Sequence, residues 1–162
     1  MRGVSGITWT PLERGPSLTV GCGCGCPTGG LFPGKWLRDG AVTWEEIESG
    51  LPSNFGFGLT VSESGSAFIV PLQKDAERFT CEGKLRVYRT RDEGKSWQPL
   101  TKGLPQKNAY EVVLRDAVAS IGDQIFFGTK NGKLFGSPDD GDSWKLIEGS
   151  LPEICCVKAY SI

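Results

Sequence analysis

Residues 90–97 read TRDEGKSW, and residues 137–144 read SPDDGDSW. Both begin with Ser or Thr, place Asp two positions on, Gly four positions on and Trp seven positions on. A worn third copy, LRDGAVTW at 37–44, keeps Asp39 and Trp44, with Leu37 and Ala41 at the other two places. The tryptophans Trp44, Trp97 and Trp144 are 53 and 47 residues apart. Ile47, Leu100 and Ile147 follow three places after them, and Leu51-Pro52, Leu104-Pro105 and Leu151-Pro152 follow seven and eight places after. A period of about 40–50 residues with several columns in register marks an array of repeated units.

Each unit reads as four short strands. In the last, the strands are AYEVVLRDAVA (109–119), QIFFGTK (124–130), KLFGS (133–137) and SWKLIE (143–148). Asn131-Gly132 between the second and third is a strong hairpin signal. The middle unit gives FGFGLTVS (55–62), SAFIVPL (66–72), KLRVYRT (84–90) and SWQPLT (96–101), with a longer loop at 73–83. The first unit is degenerate, with strands expected at 6–12, 17–24 and 35–39. No segment combines a 3.6-residue apolar period with helix caps, so the expected fold is all-β.

The eight-residue pattern is a self-contained turn. The Asp carboxylate accepts hydrogen bonds from nearby backbone N–H groups, the Ser or Thr hydroxyl bonds the same turn, and Gly takes a positive φ without a steric penalty. The Trp folds back as an apolar plug between sheets, its indole N–H available to a carbonyl. Loss of such a plug costs about 3–5 kcal/mol.

The pattern resembles the Asp-box, or BNR, repeat of β-propellers. The stretch from about 42 to 162 is similar to the C-terminal blades of bacterial WD40/YVTN/BNR-like repeat proteins, which are often labelled exo-α-sialidases. The resemblance implies β-propeller-type blades of four antiparallel strands: a degenerate blade at about 5–50, blades at 53–103 and 106–150, and a terminal inner strand at 153–162. It implies a structural role, on the outer rim, for Asp39, Trp44, Thr90, Asp92, Gly94, Trp97, Ser137, Asp139, Gly141 and Trp144. About three blades make an incomplete ring, because closed propellers typically have four to eight. The chain is therefore expected to self-associate or to form part of a larger propeller.

A sialidase of this kind needs an arginine cluster for the substrate carboxylate, a Tyr nucleophile with its Glu, and an Asp acid/base. The family's Phe-Arg-Ile-Pro motif is absent. Tyr110, Glu111, Arg115 and Asp116 lie on or beside an expected inner strand and are the possible ligand-facing residues. One arginine there makes no cluster. The reading is a non-enzymatic scaffold or binding module for a protein or glycan, with its ligand surface on the axial face and the 73–83 loop. The alternative is a sialidase-like glycoside hydrolase. No cofactor is expected.

Composition narrows the partners. Net charge is −1 with a sequence pI near 5.6, and the basic residues are scattered, so neither nucleic acid nor an anionic membrane is an expected partner. No apolar run reaches membrane-spanning length and no secretory leader is visible, so the expected compartment is the cytoplasm. The chain has no histidine, which removes Ser-His and Cys-His nucleophile pairs. Six cysteines remain. In GCGCGCP (21–27), Cys22, Cys24 and Cys26 form a weak candidate for thiolate-bound metal, with Cys81, Cys155 and Cys156 as further ligands. The same residues also read as small buried hydrophobes on one face of a strand, and that reading is preferred.

Overall fold

Short apolar runs separated by Gly, Asn and Asp turns leave the chain one economical solution, the antiparallel meander. A computed structural model shows this architecture; it describes residues 19–22, 31–36, 42–44, 49–74 and 78–161. Three strands, β1 (Thr19–Cys22), β2 (Leu31–Trp36) and β3 (Val42–Trp44), form an antiparallel sheet in chain order. Four more, β4 (Leu59–Val61), β5 (Ala67–Ile69), β6 (Val87–Thr90) and β7 (Gln98–Leu100), form the middle sheet. The last sheet contains β8 (Val118–Ile121), β9 (Gln124–Gly128), β10 (Leu134–Ser137) and β11 (Lys145–Glu148). Both four-stranded sheets are antiparallel meanders, open rather than closed into a barrel. A single 3₁₀ turn at Cys81–Gly83 is the one helical element among the described residues.

The Asn131-Gly132 hairpin forms as the dipeptide demands. Gly132 takes φ +77°, and Thr129 N–H donates to the Lys133 carbonyl at 2.9 Å. The segment expected as a strand over 109–119 is one only from Val118. Between 109 and 117 the backbone pairs with several different places: Ala109 N–H with Gly83, Thr80 N–H with Glu111, Lys130 N–H with Val112 and Gly128 N–H with Ala117. It therefore bridges the two sheets instead of pairing along one neighbour. The expected strand at 6–12 lies outside the described residues, as do Asp39, Cys24 and Cys26. In the first unit the third strand ends at Trp44, whereas β7 and β11 each begin just after their tryptophans.

Alternation along the strands sends side chains to two faces. Phe68, Val70, Leu85 and Val87 point from the middle sheet into one cluster with Ile125, Phe127, Phe135 and Trp144 of the last unit. Phe127 stacks on Phe135 at 5.1 Å and meets Trp144 edge-on at 5.1 Å. The opposite face of the middle sheet gathers Ile69, Tyr88 and Trp97, with Leu51 and Leu59 against them. The Leu-Pro column now has a physical meaning. Leu51 packs into the cluster of Trp97, and Leu104 packs into the cluster of Trp144, so each leucine joins the sheet that follows it. Beyond Leu151-Pro152, residues 153–161 join no sheet; Ile154 N–H bonds the Thr129 carbonyl and Val157 N–H bonds the Asp116 carbonyl.

Candidate functional site

The two turn patterns superimpose bond for bond. In the β6–β7 turn, the Thr90 hydroxyl donates to Asp92 Oδ1 at 2.8 Å and accepts from the Gly94 N–H at 2.9 Å. Asp92 then receives the Ser96 N–H at 2.9 Å and the Ser96 hydroxyl at 2.5 Å. In the β10–β11 turn the corresponding distances at Ser137, Asp139, Gly141 and Ser143 are 2.8, 2.9, 2.8 and 2.5 Å. Glu93 and Gly94 have φ of 60° and 88°, and Asp140 and Gly141 have φ of 52° and 88°. Two consecutive positive φ values are the mark of a type I′ hairpin turn.

The serines at the seventh position, Ser96 and Ser143, complete each turn, and the sequence reading missed them. The signal was the shared Ser-Trp pair that ends both copies. The hydrogen bonds govern the acidity of the carboxylates. The Ser96 hydroxyl first, then the Ser96 N–H and the Thr90 hydroxyl, bring Asp92 down to about 2. Burial works against ionisation of Asp139, but the Ser143 and Ser137 hydrogen bonds outweigh it and hold the group below its ordinary value. Trp97 and Trp144 are both buried, as plugs should be. The Trp144 indole Nε1 is buried with no hydrogen-bond partner, so its plug holds by packing alone.

A second polar centre lies on the seam between the sheets. Asp140 occupies an unspecified position of the second turn, yet its side chain reaches into the β4–β5 hairpin. Ser62 donates to Oδ1 at 2.9 Å, and Ser66 donates to Oδ2 at 2.8 Å. Arg91 pairs with Oδ2 at 3.0 Å, and the Arg89 guanidinium bonds the Asp140 carbonyl. Arg89 also pairs with Asp142 at 2.8 Å and bonds Gln98 at 2.8 Å. Burial works against ionisation of Asp140, but Ser66, Arg91, Ser62 and Arg89 together hold it below the ordinary carboxylate range. Beside this clasp lies a cleft of about 320 Å³ lined by Ser64, Gly65, Ser66, Arg91, Asp123 and Asp140. The Asp140 carboxylate is taken up by Arg91, Ser62 and Ser66 across the seam, which makes the arrangement a lock between two sheets.

The four possible ligand-facing residues have different surroundings. Tyr110 is exposed and sets its ring edge-on to Phe79 at 5.2 Å. Glu111 is buried; Lys133 Nζ lies 2.6 Å from its Oε1, while Oε2 has no hydrogen-bond partner. Arg115 and Asp116 are exposed, and the Asp116 carbonyl holds the 153–161 segment through Val157. The described part of the 73–83 loop is anchored by Arg78, whose guanidinium lies 5.3 Å from the Phe55 ring and 5.8 Å from the Phe57 ring. Glu82 pairs with Lys84 at 2.8 Å and with Arg86 at 2.6 Å.

Among the described residues, Cys81 is a buried free thiol and Cys155 and Cys156 are exposed free thiols. Burial pushes the Cys81 thiol up, against the opposing pull of Arg86. No group of three metal-ligating side chains occurs among the described residues, and no helix among them is long and apolar enough to cross a membrane. Compared with known proteins, the chain matches no family model, and no curated protein matches it.

Proposed function

We propose that the protein is a non-enzymatic, propeller-type repeat scaffold or binding module of the Asp-box class. One observation carries this reading. The carboxylates of the repeated turns are taken up by their own turns, while Asp140, Trp144 and Leu104 fasten one sheet to the next. The distinctive residues of the repeat serve construction and leave no reactive group poised on a substrate. A ligand surface for protein or glycan fits best near the 78–83 loop, where exposed Tyr110 stands against Phe79 beside the Arg78 cation–π contacts. Exposed aromatic rings of this kind supply contact area at a low entropic cost.

The alternative, a sialidase-like hydrolase, is decided by a fluorogenic sialoside assay on the whole chain. No hydrolysis above background is expected. Turnover that disappears in Arg115→Ala would overturn the scaffold reading. Binding is tested by titrating glycans and candidate proteins against wild type and Tyr110→Ala; the variant is expected to lose most of any affinity found.

A further inference from the structure

Beyond Leu151-Pro152 the chain joins no sheet, yet it is held at two places. The first lies at residues 153 and 154. The Glu153 carboxylate pairs with Lys130 Nζ at 3.3 Å, and the Ile154 N–H donates to the Thr129 carbonyl at 3.2 Å. The Ile154 side chain rests on Gly128, where a Cβ would stand 2.3 Å from Ile154 Cγ2. The second place is Val157, whose N–H donates to the Asp116 carbonyl at 2.8 Å. Cys155 and Cys156 fill the two-residue span between these anchors.

In a regular strand successive side chains point to opposite faces, so one of two adjacent cysteines would turn inward. The span breaks that alternation. Ile154 and Val157 are half-buried, and both cysteines between them are exposed free thiols. Their Cα atoms are about 3.8 Å apart, as across any trans peptide, so one small ion can touch both sulfurs. No third ligating side chain joins them: no group of three metal-ligating residues occurs among the described residues, and Cys81 is buried.

The ligand count chooses the ion. Soft thiolates select Cu(I), zinc and iron–sulfur clusters. Structural zinc is held by four ligands and iron–sulfur clusters by four cysteines. Cu(I), a closed-shell monovalent ion, is satisfied by two thiolates. We propose that Cys155 and Cys156 form a two-thiolate site for Cu(I). On binding, each thiol gives up its proton and one S–Cu bond forms to each sulfur. Two protons leave for every ion bound, the copper stays monovalent and no electron is transferred. The anchors on either side fix the span beforehand, which lowers the ordering cost of binding. The site is independent of the scaffold reading, because it draws on neither the repeated turns nor Tyr110.

The test is an anaerobic titration of the whole chain with Cu(I) against bathocuproine disulfonate as competitor. Wild type is compared with Cys155→Ser, Cys156→Ser and the double variant, so that copper taken up by Cys22, Cys24 and Cys26 cancels between samples. Wild type is expected to bind one more Cu(I) per chain than the double variant, with far-UV circular dichroism unchanged. Each single variant should raise the dissociation constant for that ion at least about a hundredfold, since it removes a direct ligand and outer partners alone are worth about 10–100-fold. The affinity should rise with pH, because binding releases protons. Cys81→Ser should bind as wild type does. A double variant that folds and takes up as much Cu(I), as tightly, as wild type would overturn the proposal. So would a single serine variant that keeps the affinity of wild type. Either failure leaves the non-enzymatic reading standing, since that reading is decided by the sialoside assay.

Discussion

The Ser66 hydroxyl donates to the Asp140 carboxylate at 2.8 Å across 74 residues of chain. The bond ties the hairpin that opens the middle sheet to the turn that closes the last one. Arg91 and Ser62 share the same carboxylate, whose side chain is 12% exposed.

Replacing Asp140 by Ala removes the acceptor and leaves Arg89, whose side chain is 2% exposed, with Asp142 as its remaining counter-ion. The expected loss is about 3 kcal/mol, toward the low end for breaking a buried pair. Urea denaturation followed by circular dichroism measures it. A change below about 0.5 kcal/mol, the size of an ordinary surface substitution, would mean that the clasp is ornamental.

The equivalence of the two turns predicts equal sensitivity. Ser137→Ala and Thr90→Val each leave a buried glycine N–H without its acceptor, at Gly141 and Gly94. Each is expected to cost about 1–2 kcal/mol. The double variant should depart from the sum, because Arg91 of the first turn pairs with Asp140 of the second at 3.0 Å and couples them. A cost confined to one turn would show that the matching geometry conceals unequal roles.

Trp144→Ala is expected to cost about 3–5 kcal/mol, the range for emptying a core site of this size. Trp144→Phe should cost less than half of that, because the indole N–H has no partner to lose. Thermal unfolding of the pair separates packing from hydrogen bonding at this site.

Acid should loosen the chain in a defined window. Asp92 sits at about 2, below its ordinary 3.8, and Asp139 and Asp140 are lowered as well. The unfolded chain therefore takes up protons first as pH falls. The stabilisation these carboxylates provide is complete above their unfolded values of about 4 and is lost as pH drops toward about 2. Tm is expected to fall through this interval, and Asp140→Asn should flatten the slope. A Tm independent of pH between those limits would contradict the hydrogen-bonded state of all three.

Gly128 marks a close approach: a Cβ there would run into the Ile154 side chain. Gly128→Ala should therefore release the 153–161 segment. Hydrogen exchange at Ile154 and Val157 is expected to accelerate, with little change in Tm.

The sheets, the hairpin at Asn131-Gly132 and the internal bonding of the turns were legible because their determinants lie within a few residues of one another. A Gly at a fixed place forces a positive φ, and an Asp in such a turn takes up nearby backbone N–H groups, although the serines that supply them, Ser96 and Ser143, were not read. Leu51 and Leu104 were visible as a column but not as joints, because a column says nothing about which neighbour covers it. Asp140 was invisible for a stronger reason. It stands at a position the pattern leaves open, and its partners come from another unit. The 109–117 stretch has a strand's apolar content, but its backbone partners are divided between two units, which no local period reveals.

The turns and the seam also differ in when they can form. Every hydrogen bond that closes a turn spans four residues or fewer, whereas the Ser66–Asp140 contact closes 74. Hairpins close in about 1–10 μs, and distant contacts must first meet the entropy of a long loop. Folding thus has an order written into it: two hairpins set their register independently, and the seam arrives last. Damage to Thr90 or Ser137 should be felt as slow folding, and damage to Asp140 as fast unfolding.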